Sequence, residues 1–227
     1  MSTMSDLLLS ISHCEEVEKA LNDKNHECHE IVAYQKEEPR HLPEPWNGNI
    51  DTADILFVSS NPSYCASEEV FPDNHSDNNY IAYFFLTRFE DPKYNNNHFI
   101  RGIKKCASWL LNVTDDSVLK KKICCTNIVH CKSRKQIGVK KSCKKCSEKW
   151  LAKTLQEFHG EYIFVIGRIA QKMIDEEMIK KCPNVKKVLF VPHPSGWHYR
   201  YPDMVIKENI VKALNCKELF SECYQNN

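Results

Sequence analysis

The chain of 227 residues is 42% hydrophobic and 27% charged, which is the composition of a folded globular protein rather than a disordered one. This length suits a single α/β domain over residues 1–227 and excludes a second large domain. The formal net charge of +1 gives no indication of a partner. No apolar run approaches the roughly 18 residues of a membrane helix, and the run Leu7–Leu9 is too short for a signal peptide. We therefore expect a soluble, cytoplasmic monomer.

Short apolar runs alternate with helical patterns along the chain. The predicted helices cover residues 4–21, 79–89, 99–111, 142–158, 168–178 and 204–220. The predicted strands cover residues 55–58, 123–129, 162–166 and 188–191. Strands that alternate with helices are typical of a mostly parallel sheet with helices on both faces. We predict a three-layer α/β/α fold around a central four-stranded, mostly parallel sheet.

Polar residues follow the predicted strands directly. Asn61 comes after the first strand, Asn127 lies near the end of the second, and His193 comes after the fourth. In open parallel sheets, ligands bind outside the carboxyl ends of the strands, so these three side chains are expected at one edge. Taken singly, Asn61-Pro62 is an ordinary turn and a lone histidine is commonly structural. Together they predict a shared site.

The sequence lacks the loops that cradle phosphate groups. With six glycines, it contains neither GxGxxG nor GxxxxGK[ST]. It also lacks the nucleophile elbow of serine hydrolases. We expect no nucleotide cofactor and exclude a dinucleotide enzyme or a P-loop NTPase.

The chain contains twelve cysteines, many for its length. Cys143 and Cys146 form a CxxC pair that follows Cys131 closely, a spacing that favours metal ligation in an intracellular protein. Free, buried thiols are the alternative. Cys124 and Cys125 lie inside a predicted strand and are expected in the core.

Basic residues concentrate between Lys120 and Lys153. About a dozen lysines and arginines occur there with one acid, Glu148. A block of this kind is either a solvated face or a nucleic-acid footprint.

Five segments resemble the uracil-DNA glycosylase superfamily. Residues 54–63 resemble the first signature, a strand running into a G-x-N-P-G/S loop, and residues 191–196 resemble the second, an H-P-S loop. Residues 126–131 are similar to the T-N-V-V-K-C stretch of the iron–sulfur branch. Residues 146–151 and 164–170 are similar to that branch's cysteine-led helix and its strand-Gly-Arg-x-Ala turn. The resemblance covers roughly residues 43–196 in the right order.

The resemblance implies a DNA glycosylase of base excision repair, which flips a base out of DNA and hydrolyses its glycosidic bond. Asn61 would hold the water, and His193 would donate to the base or stabilise the transition state. Asn127 would read the Watson–Crick edge of the base. Phe71 would stack on the base, with Phe84 and Phe85 as alternatives. The loop serines Ser63 and Ser195 complete the expected substrate site.

The family relationship also implies a DNA-binding surface. Lysines and arginines of the basic block would contact phosphates, and a side chain from the second signature loop would enter the gap left by the flipped base. The candidates for phosphate contact are Lys132, Arg134, Lys135, Lys140 and Lys141. The candidates for the inserted group are Trp197, Tyr199 and Arg200; Trp197 could instead cap the core.

The iron–sulfur branch binds a [4Fe–4S] cluster through an early CxxC and two later cysteines. The early pair is missing here, because Asn25 stands at the first position and Cys28 near the second. The expected ligands are Cys28, Cys131, Cys143 and Cys146. Zinc on the same thiolates, or no metal, are the alternatives.

The first loop departs from several branches of the family. Asn61 stands where they carry an acidic residue that activates water, and an amide cannot deprotonate water. The substrate base is therefore open: uracil, a deaminated purine or a bulkier modified base. A protein that binds damaged or modified DNA without cutting it is the alternative function.

Overall fold

The computed structural model describes residues 4–33, 41–63, 77–194 and 203–224. The strands are β1 (Trp46–Asn47), β2 (Ile55–Ser59), β3 (Ile123–Asn127), β4 (Tyr162–Ile166), β5 (Lys187–Val191) and β6 (Phe220–Glu222). They form one six-stranded sheet in the order β1-β3-β2-β4-β5-β6. All neighbouring strands are parallel except β1 and β3, which are antiparallel. The sheet is therefore mostly parallel, as predicted.

The prediction of four strands is wrong by two. The four predicted strands are the inner strands of the sheet, and β1 and β6 are added at its edges. These edge strands have two and three residues, which is too short for a hydrophobic pattern to reveal. Phe220 was predicted to end the last helix, but that helix ends at Asn215 and Phe220 begins β6.

The helices in the described ranges are α1 (Met4–Ser12), α2 (Glu16–Asn22), α3 (His29–Ala33), α4 (Asn78–Leu86), α5 (Pro92–Asn95), α6 (His98–Leu111), α7 (Asp116–Lys122), α8 (Val139–Cys146), α9 (Ala152–Gln156), α10 (Gly167–Gln171), α11 (Glu176–Ile179) and α12 (Asp203–Asn215). A 3-10 turn covers Arg88–Glu90, and a π-helical turn, Ser147–Leu151, joins α8 to α9. None of these helices is long and apolar enough to cross a membrane.

Two predicted helices are broken in the structure. Residues 4–21 divide into α1 and α2, and Cys14 lies in the break between them. Residues 168–178 divide into α10 and α11 because the Asp175 side chain accepts a hydrogen bond from the Met178 backbone N–H, which starts a new helix.

Helices cover both faces of the sheet. Side chains alternate between the faces along each strand. Leu56 and Val58 belong to a core shared with α1, α3 and residues 139–156, whereas Ile55 and Phe57 belong to a second core shared with α6, α7 and α12. Phe57 stacks on Phe164 in the second core, with 5.0 Å between the ring centroids.

Helix α6 is tied to the loop that follows β5. The Asn97 side chain accepts a hydrogen bond from the Ile100 backbone N–H and so fixes the start of this helix. Gly102 lies against Pro194: a Cβ atom at Gly102 would sit 2.5 Å from the Pro194 Cβ. This close approach requires glycine and sets the position of the loop that carries His193.

Candidate functional site

Strand register brings several polar side chains onto one face of the sheet. Ser59 pairs with Asn127 across β2 and β3, and Asn47 pairs with Cys125 across β1 and β3. Paired residues share a face, and residues two apart on one strand do as well. Ser59, Asn127, Cys125 and Asn47 therefore project to the same side, where the second core and α6 lie.

A pocket of about 350 Å³ opens at the carboxyl edge of this face. Asn61, Asn127 and His193, which follow three separate strands, all line it. The start of α6 and the segment before β1 form its other walls. The volume lies within the range of small-molecule sites, roughly 300–1,000 Å³.

Asn127 is held rigidly at the base of the pocket. It is 6% exposed, and its Oδ1 accepts a hydrogen bond from the Ser59 hydroxyl over 2.5 Å. This contact fixes which end of the amide faces Ser59. The Nδ2 group has no hydrogen-bond partner among the described residues, so it is available to donate to a ligand.

The Asn61 amide is engaged by its own loop. Its Oδ1 accepts from the Ser60 hydroxyl over 2.9 Å, and its Nδ2 donates to the Pro62 carbonyl over 2.9 Å. The Ser133 backbone N–H donates to the same carbonyl over 3.0 Å. The remaining lone pair of Oδ1 is the group that can position a water molecule.

His193 stands at the mouth of the pocket with an exposed edge. Its ring packs on Phe99, with 5.4 Å between centroids and 34° between planes. Desolvation of the ring, followed by the charge of His98, lowers the pKa of His193 below its usual value. Its neutral form is favoured near pH 7, and a neutral imidazole carries one N–H donor.

The comparison with known families shows to which family the chain belongs. A sequence model of the uracil DNA glycosylase superfamily matches residues 45–216, which include all three of these residues. The chain belongs to the uracil-DNA glycosylase superfamily. Membership indicates a DNA glycosylase, with DNA as its substrate. A search of curated proteins found no match to this chain.

The described residues include two aromatic side chains in this pocket that were not predicted. Tyr94 and Phe99 line the pocket. Phe85 lies in the core, and Phe84 packs against the Arg88 guanidinium, 4.4 Å from the ring centroid. Phe99 lies two residues after Asn97, which caps the start of α6. This spacing is the sequence feature that could have indicated an aromatic residue in the first turn of that helix. The predicted stacking residue Phe71 lies outside the described residues, as do Ser195, Trp197, Tyr199 and Arg200.

Lys132 is not on the DNA-facing surface that was predicted for it. It is 3% exposed, lines the pocket and forms an ion pair with Glu44 at 3.0 Å. Burial raises the pKa of Glu44, while the nearby charge of Arg88 opposes this shift. The pair thus sets two opposite charges inside the pocket of the glycosylase. Sequence reasoning missed Glu44, because it precedes β1 and lies outside the recognised loops.

The other predicted phosphate contacts are exposed. Arg134, Lys135 and Lys140 lie on the surface, and Lys141 is exposed and paired with Glu30.

The first signature loop contacts the segment after β3. Ser63 forms a backbone β-bridge with Ser133, which joins this loop to the segment that carries Arg134 and Lys135. Lys135 and Gln136 have φ angles of 53° and 61°, a left-handed backbone that non-glycine residues rarely adopt.

A second, smaller pocket is lined by four cysteines: Cys14, Cys28, Cys131 and Cys146. Its free volume is about 20 Å³. Cys143, predicted as a ligand, is buried but does not line this pocket. Cys14 takes its place, and nothing in its spacing to the other cysteines indicated this.

Burial favours the protonated form of three thiols in this pocket, those of Cys28, Cys131 and Cys146. Burial raises the pKa of Cys28 to about 11 and that of Cys146 to about 12, and the neighbouring cysteines add to both shifts. Burial also raises the pKa of Cys131 well above its usual value. The Trp150 indole N–H, on the π-helical turn, donates to the Cys14 Sγ over 3.4 Å.

His130 also lines the cysteine pocket and has an unpaired nitrogen. Its Nδ1 donates to the Glu44 carbonyl over 2.6 Å, and burial lowers its pKa to about 4. Its Nε2 is buried with no hydrogen-bond partner in the described ranges. No group of three or more histidines, cysteines or acids placed to hold a single metal ion is found in those ranges.

Proposed function

We propose that this protein excises a base from DNA by flipping it into the 350 Å³ pocket and hydrolysing its N-glycosidic bond. One observation carries the proposal: Asn61, Asn127 and His193, from three strand ends, line one pocket within the matched region. In the cell this reaction would begin base excision repair.

As the N-glycosidic bond breaks, negative charge develops on the leaving base and positive charge develops on the sugar. His193, neutral and at the mouth of the pocket, donates an N–H to the base as its charge develops. Asn127 donates from Nδ2 to a carbonyl oxygen of the base. Asn61 positions water through the free lone pair of Oδ1. Catalysis then depends on preorganised donors, since the amide of Asn61 cannot act as a base.

DNA approaches along the exposed basic residues of the segment after β3. Arg134, Lys135 and Lys140 bind phosphates, and the contact between Ser63 and Ser133 links their position to the first signature loop. Trp197, Tyr199 and Arg200 stay the predicted candidates for filling the gap in the duplex.

We also propose a [4Fe–4S] cluster held by Cys14, Cys28, Cys131 and Cys146. The four thiols surround a void. In a [4Fe–4S] cluster each iron takes one thiolate, whereas all four thiolates must converge on a single zinc ion. The arrangement of the thiols therefore favours a cluster over zinc. The Trp150 N–H that donates to the Cys14 Sγ also fits such a group. The cluster would join α2 and α3 to the segment after β3, a structural role.

The direct test of function is a panel of single- and double-stranded oligonucleotides that contain uracil, hypoxanthine, xanthine or modified pyrimidines. Alkali cleaves the strand wherever a base has been released. We expect cleavage at one class of base and none in unmodified DNA. The second candidate, a non-catalytic binding protein, is favoured by the occupied amide of Asn61, and it predicts tight binding with no alkali-sensitive site.

A further inference from the structure

Asn47, in β1, lines the pocket and carries a buried polar atom that has no partner among the described residues. Its side chain lines the pocket and the residue is 2% exposed. Its Nδ2 donates to Glu44 Oε2 over 3.4 Å, but its Oδ1 has no hydrogen-bond partner in the described part of the chain. A buried acceptor without a partner is unfavourable, so it indicates a ligand that supplies the missing donor.

The orientation of this amide is set by its neighbour. A carboxylate only accepts hydrogen bonds, so the Asn47 amide must turn Nδ2 toward Glu44 and Oδ1 away from it. Glu44 is itself held by the ion pair with Lys132 at 3.0 Å, and both charged residues are buried. Lys132 therefore fixes Glu44, and Glu44 fixes Asn47. The acceptor is preorganised before any ligand arrives.

Asn47 and Asn127 form a pair on one face of the sheet. Asn47 pairs with Cys125, so Asn127, two residues further along β3, is its diagonal neighbour. Diagonal residues in an antiparallel pair lie roughly 7–8 Å apart, a span that one base can bridge. Asn127 offers an N–H donor from Nδ2, and Asn47 offers a C=O acceptor from Oδ1.

We propose that Asn47 is a second base-reading residue, whose Oδ1 accepts an N–H from the edge of the flipped base while Asn127 donates to an acceptor on it. Glu44 is the positioning residue for Asn47. This inference rests on the proposed base pocket. It names the substrate class as bases with an N–H donor beside a carbonyl oxygen, as in uracil and hypoxanthine, and it excludes their N-methylated forms.

The test compares uracil with N3-methyluracil in otherwise identical oligonucleotides, and hypoxanthine with N1-methylhypoxanthine. A site built to bond an N–H discriminates strongly against an analogue that lacks it. We expect the unaltered protein to prefer the N–H form on the order of 10²-fold, because the methylated form leaves a buried acceptor unpaired. Asn47→Ala and the nearly isosteric Asn47→Leu should reduce this preference at least tenfold, chiefly by weakening the N–H form. Glu44→Gln should reduce it partly.

Two readouts separate this inference from the proposed function. Excision is measured on ordinary deoxynucleotides, and binding on 2′-fluoro nucleotides whose glycosidic bond resists hydrolysis. Loss of discrimination in binding on changing Asn47 supports the inference even in a protein that releases no base. Equal discrimination by the unaltered protein and both Asn47 variants overturns it, even in an active glycosylase. Asn215→Ala, at the end of α12, is the matched control, and thermal unfolding checks that each variant folds.

Discussion

The Ser59 hydroxyl donates to the Asn127 Oδ1 over 2.5 Å, which joins the ends of two neighbouring parallel strands by their side chains. Both residues are buried, so the contact is shielded from water. It determines that Asn127 presents its N–H group to the pocket. The amide proposed to read the base is thus oriented by the last residue of β2.

Removing this hydroxyl should loosen the reading of the base. In Ser59→Ala the Asn127 amide can rotate, so we expect excision to slow about tenfold, the cost of roughly one hydrogen bond, and base selectivity to relax. Single-turnover rates on two bases measure both effects. The control is Ser10→Ala, on the exposed side of α1. Unchanged selectivity in Ser59→Ala would argue against this role.

The rate should depend on pH through His193. Desolvation and His98 lower the pKa of His193 below 6.5, so the neutral ring persists at pH values below the usual midpoint. If the neutral donor acts, kcat/KM falls as the pH is lowered through the depressed pKa of His193, with a midpoint below 6.5. A rate that rises as the pH falls through 6.5 would instead indicate that the protonated ring is the active form.

The exposed basic residues Arg134, Lys135 and Lys140 should govern affinity for any DNA sequence. Arg134→Ala, Lys135→Ala and Lys140→Ala should each weaken binding and reduce the slope of log K against log salt by about 1, the expected effect of losing one phosphate contact. Binding titrations at several salt concentrations measure this. Lys207→Ala, on α12, is the control. If the three variants bind DNA with the same affinity and salt dependence as Lys207→Ala, these basic residues form only a solvated face.

The proposed cluster in the cysteine pocket predicts that the purified protein contains iron. Protein purified without oxygen should be brown and contain iron, and Cys14→Ser or Cys131→Ser should lose both the colour and the iron. Cys143→Ser is the matched control and should keep them, because Cys143 does not line the pocket. Zinc in place of iron, a metal-free folded protein, or loss of iron in Cys143→Ser would each contradict the proposed ligands.

The inner sheet could be predicted because each inner strand is a buried apolar run bounded by turn residues. Residues at the ends of those strands, Asn61, Asn127 and His193, could be placed at one edge for the same reason. Phe99 and Asn47 could not, since their places depend on how α6 and a two-residue strand pack in three dimensions. Sequence spacing carries no such information.

The charged residues and the pocket cysteines show the same limit. Lys132 looked like part of the basic surface, because sequence shows that a lysine is present but not that Glu44 lies beside it in the fold. Cys14 joins Cys28 only because the chain breaks between α1 and α2 and then returns through α3. Local patterns therefore located the strands and their ends, whereas long-range contacts assembled the two pockets.

The most direct test of the central claim is a single-turnover measurement of free base released from DNA, detected by mass spectrometry, for the unaltered protein and for His193→Ala. We predict release by the unaltered protein and a decrease of about 10²-fold in His193→Ala, the usual effect of losing a preorganised donor. Affinity for intact DNA should be nearly equal in the two proteins. Tight binding with no released base, or an unchanged rate in His193→Ala, would contradict the account.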